Sequence, residues 1–128
     1  MSLKLYSYWR SSTSYKVRIG LNIKGLDYEI MPRHLLRDGG QQHRDDYTGL
    51  NPMAAVPTLT DGDFTLSQSN AILEYLEDKH PAPALLPQDT KARAYVRQIR
   101  DVIACDIHPL NNLRVLQKLK KEEKNKTN

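Results

Sequence analysis

Leu3-Lys4-Leu5-Tyr6-Ser7-Tyr8 is a largely apolar and aromatic stretch, which predicts a short strand closed by the polar run Arg10-Ser11-Ser12-Thr13-Ser14. Val17, Ile19, Leu21 and Ile23 taken alone permit an alternating strand. Lys16, Arg18 and Lys24 among them, with the stop at Gly25, predict instead a helix capped by serine or threonine at its start and by glycine at its end. Tyr28-Glu29-Ile30-Met31 then reads as a second strand, completing a βαβ unit. Residues 32–51 are polar around Gly39-Gly40-Gln41-Gln42 and predict a long loop with a short helical turn before Leu50. Loops of that length inside a compact domain are often functional. A hairpin follows, Val56-Pro57-Thr58-Leu59-Thr60 and Phe64-Thr65-Leu66 joined by a turn at Asp61-Gly62. Ser67-Gln68-Ser69-Asn70 opens a helix with the apolar face Ala71, Ile72, Tyr75 and Leu76, ending before Pro81.

Three prolines in the eight residues His80–Pro87 predict an extended connector and the chain's best domain boundary. Beyond it, Ala92, Tyr95, Val96, Ile99, Val102, Ile103, Ile107 and Leu110 recur at helical spacing, and Leu113 and Leu116 continue the stripe past Pro109. The pattern predicts one long helix kinked at Pro109. The domain division is therefore residues 1–80, a connector over 81–89, and a helical part over 90–128 that ends in a basic tail.

A chain of 128 residues holds one ordinary core with at most an appended element. With no apolar run of about 18 residues and no secretory leader, the expectation is a cytoplasmic protein without a membrane span. The single cysteine, Cys105, excludes an internal disulfide, a CxxC redox pair and a zinc ribbon, and is expected to be a small buried residue. Five lysines against two glutamates in residues 118–128 account for most of the net charge of +4, so the basic balance marks a solvated end and not a nucleic-acid surface.

Several blocks, in order, resemble the zeta class of glutathione transferases, the family that includes maleylacetoacetate and maleylpyruvate isomerases. These are Tyr8-Trp9-Arg10-Ser11-Ser12-Thr13-Ser14-Tyr15-Lys16-Val17-Arg18-Ile19, Asp38-Gly39-Gly40-Gln41-Gln42, Leu50-Asn51-Pro52-Met53, Val56-Pro57-Thr58-Leu59, Gln68-Ser69, Leu85-Leu86-Pro87 and Asp106–Leu113. The resemblance implies an α/β fold: a thioredoxin-like domain (β-α-β, then β-β-α) that binds glutathione, followed by the first long helix of an all-α domain whose remaining helices would lie beyond residue 128.

A thiol becomes a nucleophile by ionising, which hydroxyl donors and a helix N-terminus favour. A serine-rich helix start is by itself only a cap. The resemblance makes Ser12 the main thiolate stabiliser, assisted by Ser11 and Thr13, the last standing where many relatives carry cysteine. Arg10 is the cation for a dicarboxylate substrate, while Arg18 reads as an ion-pair partner or a solvated residue. The family also implies Gln68 and Ser69 for the γ-glutamyl carboxylate at a helix start, Val56 before a cis Pro57 for the cysteinyl part, and Gln42 for the glycyl end. His108, Asn112, Leu113 and Arg114 are implied as contacts from the helical part, although a lone histidine before proline is otherwise more often structural.

The implied reaction is glutathione-dependent cis–trans isomerisation of a maleylacetoacetate-type substrate by a cytoplasmic homodimer, without metal. A non-catalytic thioredoxin-like binding or interaction module stands as the alternative.

Overall fold

The computed structural model describes residues 3–126, which divide after Leu85 into two compact units. In the first unit, β1 (Leu3–Ser7), β2 (Tyr28–Pro32), β3 (Thr58–Asp61) and β4 (Phe64–Ser67) form one mixed sheet in the order β2-β1-β3-β4. β1 runs parallel to β2 and antiparallel to β3, and β3 pairs antiparallel with β4. The parallel pair needs a crossover, which α1 (Ser12–Ile23) supplies, whereas the tight turn at Gly62 (φ +60°) joins β3 to β4.

One face of the sheet carries the core. Leu3 and Leu5 alternate inward from β1, Leu59 pairs opposite Leu5 on β3, and Val17 and Leu21 of α1 meet Ile72 and Leu76 of α3 (Ser69–Lys79). Each such fully buried aliphatic side chain contributes about 1.5–3 kcal/mol. α1 ends as glycine at C′ dictates: Gly25 takes φ +64° and the Leu26 N–H returns to the Leu21 carbonyl at 3.1 Å. Beside β1, Tyr47 of the short α2 (Asp45–Thr48) is fully buried and its ring lies 5.5 Å from that of Tyr6.

β3 starts at Thr58, later than the predicted Val56, because Pro57 has no N–H for the ladder. The long loop holds two 3₁₀ turns, Arg37–Gly39 and Gln41–His43, besides α2.

A buried ion pair closes the first unit. Lys24 and Glu77 meet at 2.9 Å, with side-chain exposures of 0% and 8%. The Lys24 ammonium also donates to the carbonyls of His80 (2.6 Å) and Pro83 (3.0 Å), so its three protons are used, and Glu77 accepts from the Leu85 N–H at 2.8 Å.

The second unit is helical but is not one helix kinked at Pro109. α4 (Thr90–Asp101) passes into a π-helical stretch, Val102–Ile107, then α5 (His108–Asn111) and α6 (Leu113–Lys126). Proline cannot donate to the carbonyl four residues back, so the ladder widens before it. The actual break is at Asn112, which is extended and accepts from the Val115 N–H at 3.1 Å, so that asparagine caps α6. α4 starts the same way, Asp89 accepting from the Ala92 N–H. Lys118–Lys126, expected as a tail, is helical and carries the i,i+4 pair Lys118–Glu122 at 3.3 Å. Tyr95, Ile99, Val102, Ile103, Ile107 and Leu110 are exposed. Cys105 is exposed as well, against the expectation of burial: nothing in this unit packs over the stripe it belongs to.

Candidate functional site

Four hydroxyls stand in sequence at the start of α1, and the structure gives each a different task. Ser11 is the N-cap, accepting from the Ser14 N–H at 3.1 Å. Thr13 reaches out of the helix and donates to the Val56 carbonyl at 3.2 Å, while its oxygen lies 3.0 Å from that of Ser11. Ser14 is buried, its hydroxyl without a partner. Ser12 alone is exposed, and its hydroxyl bonds to no protein atom among the described residues. It lies in the first turn of a helix with no acidic residue there, where the dipole favours an anion by about 0.3–1 kcal/mol.

β1 delivers the chain to this helix, and Arg18 fixes the delivery. Its guanidinium donates to Ser7 Oγ at 2.6 Å and to the carbonyls of Tyr8 (3.5 Å) and Trp9 (3.4 Å). Arg18 is thus half-buried, without an ion pair among the described residues, and acts as a clamp on the turn into the serines. Arg10 is exposed, its guanidinium 5.5 Å from the Trp9 ring centroid, leaving its donors for an incoming acid.

The segment entering β3 is the second wall. The Val56–Pro57 bond is cis. The Ala55 carbonyl accepts from the Tyr47 hydroxyl at 2.6 Å and from Asn51 Nδ2 at 2.9 Å, and both side chains also touch Thr58 Oγ1, at 2.8 and 3.2 Å. Burial raises the Tyr47 hydroxyl above its usual pKa of 10.0, partly offset by the hydrogen bonds from Thr58 and Asn51 and by the charge of Arg33, so it remains a proton donor. The Val56 N–H has no protein partner among the described residues.

Tyr47, Asn51 and Arg33 were not singled out from the sequence. Arg33 stacks on the rings of Tyr6 and Tyr47 and pairs with Asp46 at 2.8 Å. An aromatic residue and an asparagine flanking Leu50 in a polar loop were the available signal.

At the start of α3, Gln68 holds φ +74°, a left-handed conformation that costs a non-glycine residue about 1–3 kcal/mol and is typical of functional positions. The helix it opens has no side-chain cap and no acidic residue in its first turn, and Ser69 at its first position is buried. A helix start of this kind favours an anion over a cation.

Gln42 is buried, held by its Nε2 contacts to the Leu35 carbonyl (3.4 Å) and His43 Nε2 (3.3 Å), with Oε1 unpartnered. As placed it offers an acceptor, so it suits a carboxylate only with its amide reversed.

The structure thus places Arg10, Ser11, Ser12, Thr13, Gln42, Val56, Pro57, Gln68 and Ser69 in the first unit. Among these, Ser11, Thr13 and Val56 are joined by hydrogen bonds. His108, Asn112, Leu113 and Arg114 belong to the second unit: His108 starts α5, Asn112 caps α6 with its side chain, and Leu113 and Arg114 open α6. Among the described residues no group of three metal-ligating side chains occurs, and no helix is long and apolar enough to cross a membrane.

The chain is similar to known proteins over most of its length. The maleylacetoacetate isomerase of Rattus norvegicus is 55% identical over 118 residues, covering 92% of this chain and 55% of the relative. A solved holo structure of maleyl pyruvate isomerase, described as a bacterial zeta-class glutathione S-transferase, superposes with a TM-score of 0.88 at 46% identity, over 93% of this chain and 55% of that one. The maleylacetoacetate isomerase of Methylobacterium extorquens AM1, solved with bound malonate and GSH, gives a TM-score of 0.86 at 45% identity, over 94% and 56%. The chain spans about half the length of the curated relatives it matches. The profile of the glutathione S-transferase N-terminal domain matches residues 1–78, the span that holds the sheet, α1, the cis-proline loop and the start of α3, and the chain belongs to that family.

Proposed function

We propose that this chain binds glutathione through its first unit and serves glutathione-dependent cis–trans isomerisation of a maleylacetoacetate- or maleylpyruvate-type dicarboxylate. The observation that carries the reading is the division of labour at α1, where Ser12 alone of the four presents an exposed, unbonded hydroxyl at the positive end of a helix, Ser14 being buried. Glutathione, when bound, supplies the thiol that adds to and leaves the substrate's cis double bond. Ser12 donates to that sulfur and holds it ionised. The Val56 N–H pairs with the peptide beside it, and the uncapped start of α3 with Gln68 and Ser69 takes the γ-glutamyl carboxylate. Gln42, amide reversed, serves the glycyl end. Arg10 is the exposed cation suited to a substrate carboxylate.

The unpacked stripe of the second unit supports association as a homodimer, and a single free cysteine suits a reducing, cytoplasmic setting. Calorimetric titration with glutathione, followed by turnover of maleylacetoacetate, tests the proposal. Binding without turnover would favour the non-catalytic module, and no binding at millimolar glutathione would refute the reading.

A further inference from the structure

A hydroxyl has one proton, and this fixes the polarity of the contacts beside Ser12. Thr13 gives its proton to the Val56 carbonyl, so in its 3.0 Å contact with Ser11 it is the acceptor and Ser11 the donor. Ser11 in turn accepts from the Ser14 N–H. The relay runs one way, from the helix backbone through Ser11 and Thr13 to the cis-proline loop, and neither hydroxyl has a proton left for a sulfur.

The other end of that loop is held too. The Ala55 carbonyl is bonded by Tyr47 and Asn51, and it shares one planar trans peptide with the Val56 N–H, which therefore points the opposite way, away from those two side chains. With Ala55 O held by the long loop and Val56 O held by α1, the residue between them has both carbonyls anchored and its N–H aimed outward.

We propose that Thr13 is a positioning residue and not a thiolate donor: its hydroxyl latches the Val56 carbonyl to the start of α1 and so sets the spacing between the Ser12 hydroxyl and the Val56 N–H. This rests on the glutathione reading above. The latch serves the peptide of the ligand, whereas Ser12 serves its sulfur, and affinity and thiol ionisation are accordingly separable.

The test uses the full chain with Thr13→Val, which keeps the branched shape and removes the hydroxyl, and Thr13→Ser, which keeps the hydroxyl. Glutathione titration should show a Kd raised about 2- to 10-fold in Thr13→Val, as for one lost neutral hydrogen bond. The pKa of the bound thiol should be unchanged, and Thr13→Ser should restore the affinity. An unchanged Kd with a lowered melting temperature would make Thr13 merely structural and overturn the proposal, as would a raised thiol pKa in Thr13→Val, which would put the hydroxyl on the sulfur. Should the unmodified chain bind no glutathione, the functional reading falls separately. The carbonyl-carbon chemical shift of Val56 then decides the latch: a changed shift in Thr13→Val supports it, and an unaltered one overturns it.

Discussion

Replacing Ser12 and Ser11 by alanine, one at a time, should give opposite results although the two residues are adjacent. Ser12 is exposed and its hydroxyl has no protein partner, so Ser12→Ala leaves no polar group stranded and should change stability by less than about 0.5 kcal/mol. Its loss is felt by the sulfur. A hydrogen bond to a charged group is worth about 1.5–3 kcal/mol, and about 1.4 kcal/mol corresponds to one pKa unit. Removing a donor from the ionised form raises the pKa, so the bound thiol should titrate about one to two units higher, and below the lower of the two values the thiolate fraction should fall about 10- to 100-fold. Ser11→Ala removes the N-cap of α1 and the donor to Thr13, costing about 0.5–2 kcal/mol of stability. Its thiol pKa should stay put. Thiolate absorbance followed against pH at saturating glutathione, with a thermal melt of each variant, reads both quantities. A bound-thiol pKa that is the same in Ser12→Ala and the unmodified chain, or that moves further in Ser11→Ala, would refute the assignment.

Glu77→Ala should destabilise the first unit by about 3–5 kcal/mol in urea unfolding, because the Lys24 ammonium is left buried without its counter-charge, and replacing both residues by methionine and leucine should recover only part of the loss, since the His80 and Pro83 carbonyls and the Leu85 N–H then lack their partners. A loss below about 1 kcal/mol would show that water reaches Lys24. Asp61 accepts from Lys79 and Tyr75, which hold its carboxyl below the usual 3.8. Being depressed in the folded state, it adds stability above pH 3.8 that is lost as the pH falls through the folded value, so the advantage of the unmodified chain over Asp61→Asn should shrink on acidification below about pH 4. Light scattering should find a dimer or larger assembly, because the apolar stripe of the second unit is exposed; a compact monomer would contradict that part of the reading.

Strands, caps and hairpin were legible because each rests on neighbours in sequence: an apolar and aromatic stretch for β1, glycine after α1, glycine in the β3–β4 turn. The glutathione-binding candidates were legible as residue types in family order. Their division of labour was not, because Ser11, Ser12 and Thr13 are equivalent hydroxyls until the fold brings the Val56 carbonyl, 43 residues away, beside one of them. Lys24 served in the sequence only to favour a helix over a strand, since burial of a lysine depends on Glu77 and two distant carbonyls. In the second unit the apolar period ran unbroken through Asn112, and only its side-chain cap shows that one helix ends and another begins there.

The proline-rich segment after α3 has a practical consequence for dissecting the molecule. Two of the ammonium's partners are carbonyls at residues 80 and 83, and the carboxylate's backbone donor is at residue 85. A fragment cut where α3 ends would therefore lose two of the three acceptors of the Lys24 ammonium and open the buried pair to water, although every strand and helix of the first unit were present. The stretch that reads as a tether is the seal on the interior, and the smallest self-sufficient piece of this chain is set by where Lys24 finds its acceptors and not by where regular structure stops.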